Sequence, residues 1–426
     1  MSEGGSPKFV SPIAKARAAA KAKKGQGDGG SSKASGNDET VFKVAEATAD
    51  TTTEVVDERP TILILGGCGM VGRNLVRFLA TNQLCSKIRV ADKTIPQIAF
   101  FHPSDEEIFD RNVEFVQADL NKPPHIERAF KNTMRIDYVV NLAAETRYGQ
   151  PDEVYTERCT NLSKVCAAKA AEVGVKKFIE VSTAQVYRSQ NRKAADESAA
   201  IAPFTKVAVA LLNAENEVLR VPNLHTIILR PAYIYGPSDV NAIMPRIVCA
   251  AAYVELNEKM KFLWDASMKI NTVHVEDVCR SIWHLLTLDP SASPSGSIYN
   301  LADKSDTDQG KVNLILEQIF KIKTGFHGPI VSNLARLSFD SAVETANEKH
   351  MRPWTDLCKR ANVDSTPLSP FMASEVLMNN HLFIDGTKIE RDTGFNYSVP
   401  TMSTDRVKEC VERAIEANLF PAISLS

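Results

Sequence analysis

Gly66-Gly67-Cys68-Gly69-Met70-Val71-Gly72 joins an apolar run, Ile62 to Leu65, to a segment with Val71, Leu75, Phe78 and Leu79 at helical spacing. Glycine permits φ > 0 and lets the backbone come close to a ligand. A helix that starts there offers unpaired N–H groups and the positive end of its dipole, which suits a pyrophosphate. A tight strand-to-helix turn would explain the glycines alone. The next apolar run, Lys87 to Ala91, ends at Asp92, 20 residues beyond Gly72. A carboxylate there meets the ribose hydroxyls of a dinucleotide, so the unit as a whole reads as a dinucleotide site.

The elements that must position this loop alternate in type. Strand-like runs occur at Val113 to Val116, Asp137 to Leu142, Lys177 to Val181 and His225 to Leu229. Helix-like runs lie near Pro124 to Lys131, from Asp152 to Glu172 as one long helix, and from about Pro203 to Arg220. Between Asp92 and Val113 the chain reads as irregular. Such βαβ alternation with short buried strands implies an α/β fold, a parallel sheet covered by helices on both faces. Ligands of such sheets lie beyond the carboxyl ends of the strands. The informative residues are then the Gly loop, Asp92, Asp119, Ala143-Ala144, Ser182-Thr183 and Arg230-Pro231.

The chain has 426 residues, 44% hydrophobic content and a formal charge of -2, which leaves no global electrostatic argument for nucleic acid or membrane. Its eight cysteines are scattered, with no C-x-x-C pair, and read as reduced thiols. No metal-ligand spacing stands out. No apolar stretch approaches the roughly 18 to 20 residues of a membrane span, and no apolar h-region marks a secretory signal. The expectation is a cytoplasmic protein. Residues 1 to about 58 are rich in Gly, Ser, Ala and Lys and read as a disordered tail. Its basic run, Lys15, Arg17, Lys21, Lys23 and Lys24, reads as a solvated face, with nuclear import or an anionic tether as alternatives.

Taken in order, the strand-end residues resemble the extended short-chain dehydrogenase/reductase family, which includes nucleotide-sugar epimerases and dehydratases and 3β-hydroxysteroid dehydrogenases. The likeness runs from Ile62 to Leu301: G-x-x-G-x-x-G at Gly66, Gly69 and Gly72, then Asp92, Asp119-Leu120 and Asn141-Leu142-Ala143-Ala144. It continues through Asn161, Ser182-Thr183-Ala184-Gln185-Val186-Tyr187, Arg230-Pro231, Val273 to Val278 and Tyr299-Asn300-Leu301. The resemblance implies a Rossmann doubly wound parallel sheet over 59–303, with a smaller, variable C-terminal substrate-side lobe over 304–426. It implies a cofactor set of Gly66, Gly69, Met70, Val71, Gly72, Asp92, Asp119, Leu120, Ala143 and Pro231, with Asn161 supporting a structural water. NAD is the expected cofactor, because Asp92 would oppose a 2′-phosphate; Arg73 and Lys93 keep NADP open. A homodimer would also fit.

The family's reaction centre is a Ser or Thr with a Y-x-x-x-K pair, in which the Lys lowers the Tyr pKa toward working pH. By resemblance the hydroxyl falls on Thr183, although a plain strand-end threonine would look the same. No tyrosine lies between Tyr187 and Tyr233. Counting back from Arg230-Pro231 puts Phe204 and Ala208 in the slots; sliding to use Lys206 puts Ala202 in the Tyr slot. Tyr187 and Tyr148 could substitute as proton donors from the same cleft, or serve as packing. His274 reads as structural, Asp277 as a helix cap, and Lys269 as a cation within reach of a phosphate.

Three readings follow. The chain is a cofactor-binding regulatory or scaffold protein with a degraded Tyr/Lys pair, an active oxidoreductase or epimerase with a rearranged donor, or an interaction protein with a relic site. The intact Gly loop and Asp92 favour the first two, and the missing pair favours the first. The substrate, or a protein partner in its place, is open.

Overall fold

The buried strand β1 (Thr61–Leu65) carries the fold's logic in four residues: Ile62 and Ile64 pack into one apolar cluster and Leu63 and Leu65 into another, on opposite faces of the sheet. The computed structural model describes residues 57–425, except 132, 134, 329–331 and 333–338. The N-terminal tail, with its basic run, lies outside the described residues. Further strands are β2 (Lys87–Asp92), β3 (Val113–Gln117), β4 (Tyr138–Asn141), β5 (Lys177–Val181) and β6 (Thr226–Pro231). Shorter ones, β7 (Tyr233–Tyr235), β8 (Met260–Phe262) and β9 (Thr272–His274), precede β10 (Ser297–Leu301) and β11 (Thr324–Phe326).

Seven strands form one parallel sheet in the order β10-β6-β5-β4-β1-β2-β3. The order reverses between β1 and β4, where Leu65 pairs with Asn141, so a ligand crevice belongs beyond their carboxyl ends. The Met70–Thr81 and Val275–Thr287 helices cover one face, through Leu75, Leu79, Val278 and Ile282. Leu162–Glu172 and Lys206–Leu219 cover the other, through Cys166, Ala170 and Val218.

Four expectations change. The stretch after Asp92 contains a helix, Pro103–Asn112, whose N-cap His102 accepts from Ser104 N, with Pro103 in the first turn. The long helix expected from Asp152 to Glu172 opens into a π turn at Thr156–Asn161. That turn is tied down by Cys159 Sγ donating to the Glu145 carbonyl and Thr160 Oγ1 to that of Ala210.

The lobe, third, is not a block that starts at 304. Its core joins Tyr235, Ile247, Trp264 and Ile270 to Leu316, Trp354, Val411 and Phe420, drawing on both sides of residue 303. The chain then returns to the sheet: Ile389, Phe395 and Tyr397 join the β1 cluster. Asp277 holds this return, accepting from Ser398 N at 2.7 Å and Val399 N at 2.8 Å. It is therefore a clamp for the C-terminal segment; the cap of the Val275–Thr287 helix is His274, whose Nδ1 accepts from Glu276 N. Residues from Asp57 onward make one compact unit.

Candidate functional site

At the end of β1 each glycine answers a different demand. Gly66 has φ +77°, and a Cβ there would stand 2.7 Å from the Ala143 amide nitrogen. A Cβ on Gly72 would stand 2.4 Å from Gly67 Cα, so close packing of helix on turn fixes that position. Gly69 differs. Its Cβ would meet only the Gly66 carbonyl oxygen, at 3.3 Å, so the protein itself hardly requires glycine there. The open space and the following helix start, which has no side-chain cap, form a cradle that suits an anionic diphosphate.

Asp92 closes the other side of the loop. Its Oδ2 accepts from Cys68 N and its Oδ1 from Thr94 N, each at 2.9 Å. Burial raises its pKa, and those two backbone bonds oppose the shift. Arg73 is buried and its two terminal nitrogens are engaged elsewhere: they donate to the carbonyls of Cys68, Ala99 and Phe100, and the guanidinium lies 4.4 Å from the Phe101 ring centre. Of the two cations that could have neutralised a 2′-phosphate, only Lys93 is exposed at the site.

The cleft beyond these strands has a volume of about 610 Å³, and all ten residues of the expected cofactor set line it. Among them is Asp119; burial pushes its carboxyl up, yet bonds from Asn121 and the Lys122 ammonium hold it below its ordinary value. Asn161 is exposed at the end of the π turn and does not line the cleft. The turn delivers Arg158 instead, which lines the cleft and pairs with Glu145 at 3.1 Å. Glu145 also pairs with Arg147, whose bonds hold its carboxyl down at about 2.

Thr183 lines the cleft, and its Oγ1 accepts from Gln185 N at 3.2 Å. Tyr187 does not line it. That residue is buried, donates to Asn300 Oδ1 and accepts from Arg230 Nη1, both at 2.8 Å, so its hydroxyl is structural. The reason is the ion pair beneath it: Arg230 grips Glu215 at 2.6 Å, and Tyr187 completes the guanidinium's set of partners. Tyr148 does line the cleft, and its hydroxyl accepts from Gln185 Nε2 at 3.1 Å. Burial raises its pKa, so it stays a neutral phenol at ordinary pH. Ser182 also lines the cleft, with a buried Oγ that has no partner among the described residues.

Phe204 and Ala208 are not the cleft-facing pair. Phe204 precedes Thr205, whose hydroxyl caps the Lys206–Leu219 helix by accepting from Ala208 N. Counting from that start, the residues that reach the cleft are Val207 and Leu211, one turn apart and both aliphatic. Apolar types at helical spacing look like core in a sequence; only the helix start and the Glu215–Arg230 pair fix which face they occupy. Lys269 is spoken for by Asp306 at 2.6 Å. His274 sits buried as a cap, as its structural reading required. No group of residues suited to a metal ion occurs among the described residues, and no described helix is long and apolar enough to cross a membrane.

Comparison with known proteins places this geometry. Human dTDP-D-glucose 4,6-dehydratase is 24% identical over 305 residues, covering 69% of this chain and 77% of that protein. A decarboxylating sterol-4-alpha-carboxylate 3-dehydrogenase of Candida albicans is 27% identical over 193 residues, 42% of this chain and 52% of that one. Among solved structures, the dTDP-glucose 4,6-dehydratase DesIV of Streptomyces venezuelae, with NAD and TYD bound, superposes with a TM-score of 0.60. The match covers 84% of this chain and 97% of DesIV at 19% identity, a likeness of fold. The model of the NAD dependent epimerase/dehydratase family matches residues 62–302, from β1 to just past β10, and the chain belongs to that family.

Proposed function

We propose that this chain binds NAD(H) in the cleft and acts as a cofactor-dependent regulatory or scaffold protein, without the proton transfer its family normally couples to hydride movement. The observation that carries this reading is the pair Val207 and Leu211, aliphatic at the cleft-facing positions of the Lys206–Leu219 helix. Neither can donate, accept or polarise a proton. The cofactor half rests on the open Gly69 cradle and on Asp92, whose carboxylate suits the ribose hydroxyls and repels a 2′-phosphate. Several solved relatives carry NAD.

A second reading, an active oxidoreductase or epimerase with a rearranged donor, draws on Tyr148 and Thr183 lining the same cleft. Titration of the purified chain with NADH and NADPH, followed by turnover assays with sugar nucleotides, hydroxysteroids and small alcohols, separates the cases. The proposal expects tighter NADH binding and turnover near background. NADPH binding as tight as NADH would refute the cofactor half. Robust turnover lost in Tyr148→Phe would favour the second reading.

A further inference from the structure

Gln185 donates to two hydroxyls of the cleft, through its backbone N–H to Thr183 Oγ1 and through Nε2 to the Tyr148 oxygen. Its amide orientation is set from behind. Thr205, buried, accepts from Ala208 N at 3.1 Å and donates its own proton to Gln185 Oε1 at 2.8 Å. The reverse orientation would turn Oε1 toward Tyr148 and leave the buried Thr205 proton without an acceptor. Each hydroxyl thus already receives a hydrogen bond from Gln185, and no acceptor in the described residues takes its proton. Both protons are left for whatever occupies the cleft.

We infer that the substrate end of the cleft is built for a carbonyl oxygen, with Tyr148 as a second hydrogen-bond donor beside Thr183 and Gln185 as the positioning residue for both. An acceptor-only oxygen can take both protons, whereas an alcohol oxygen that takes both must also place a proton of its own. The donors stay donors: burial keeps the Tyr148 phenol protonated, so it holds an oxygen without giving up its proton. The chain of bonds starts at the amide end of the Lys206–Leu219 helix, and each link polarises the next toward the cleft. This rests on the proposed reading in one respect, that the cleft is a small-molecule site.

Ligand-observed NMR with cyclohexanone and cyclohexanol, with and without saturating NADH, tests it. The native chain should bind the ketone about tenfold more tightly than the alcohol, the usual scale for leaving one buried polar group unpaired. Gln185→Glu keeps the shape but replaces the donor Nε2 with an acceptor, which turns the Tyr148 proton away from the ligand. That variant and Tyr148→Phe should both bring the ratio near one, with NADH affinity unchanged within about twofold. Purely structural roles for Gln185 and Tyr148 would weaken both ligands alike and leave the ratio standing. A native ratio near one, a preference for the alcohol, or a ratio that survives in Tyr148→Phe overturns the inference. Failure of NADH to bind the native chain overturns the cofactor reading alone, because the titrations without NADH still report on the donors.

Discussion

Val207 and Leu211 stand one helical turn apart on the Lys206–Leu219 helix and face the same cleft as Thr183. A phenol and an ammonium placed at these two positions would sit side by side on one helical face. Val207→Tyr alone supplies a phenol with a pKa of about 10, a poor base at neutral pH. Leu211→Lys alone supplies a cation with no phenol to act on. Neither single variant should raise NADH-linked turnover above background, and the double variant should. The check is a turnover screen of all four proteins against the same sugar nucleotides and alcohols. Activity in the native chain equal to that of the double variant would mean that proton transfer runs elsewhere.

Gly66 and Gly69 should separate stability from binding. In Gly66→Ala a methyl group meets the Ala143 backbone at φ +77°, so stability should fall by about 2–3 kcal/mol. Gly69→Ala meets only one carbonyl oxygen, at 3.3 Å, and its methyl group enters the cradle. Its stability should stay within about 1 kcal/mol of native while NADH binding weakens about tenfold or more. Denaturant unfolding and fluorescence titration report the two effects. Equal NADH affinity in Gly69→Ala would show that the cradle does not hold the diphosphate.

The sheet and the glycine loop were legible because their signals are local and unambiguous. Ile62 to Leu65 is a short apolar run before a glycine turn, and Asp92 lies at the end of the next strand. The Pro103–Asn112 helix was hidden because it is mostly polar and buries little beyond Phe109 on its apolar side; its His102 cap and Pro103 were the readable cues. The Val207/Leu211 pair was beyond reach for a different reason. A valine or leucine carries no mark of function, and the helix phase depends on the Thr205 cap and on the distant Glu215–Arg230 pair. Tyr187 failed in the opposite sense: a reactive type in the expected motif, whose hydroxyl turns inward to Arg230.

Glu180 should write a pH dependence into the fold. It is a buried residue of β5, accepting from Asn141 Nδ2 at 2.8 Å and from Ser163 Oγ at 2.7 Å. Burial pushes its carboxyl from 4.5 up to about 7, against the pull of those two bonds. Between these values the native chain holds a proton that the unfolded chain has released. The Glu180 contribution to stability is therefore full below about pH 4.5 and is lost as pH rises through about 7, by on the order of 3 kcal/mol. Glu180→Gln is neutral throughout, and the Ser163 hydroxyl can turn to accept from its amide. Its melting temperature should be flatter than native between about pH 5 and pH 8, with the largest gain at the alkaline end. Parallel profiles for the two proteins would show that Glu180 is ionised in the fold at neutral pH.

Tyr187 offers the sharpest separation of structure from chemistry, because its motif position suggests a reacting group and its contacts do not. Tyr187→Phe deletes a hydroxyl that donates to Asn300 and accepts from Arg230, both buried. Arg230 keeps its pair with Glu215 but loses the partner of Nη1, and Asn300 Oδ1 loses its donor. Leaving such groups unpaired costs about 1–3 kcal/mol, so the variant should unfold at lower denaturant with an unchanged slope. Nothing in the cleft moves, since Tyr187 does not line it. NADH affinity should match native within about twofold, and so should any turnover that the screen detects. Turnover lost at native stability would mean that the hydroxyl leaves Arg230 and reaches the cleft in the working protein.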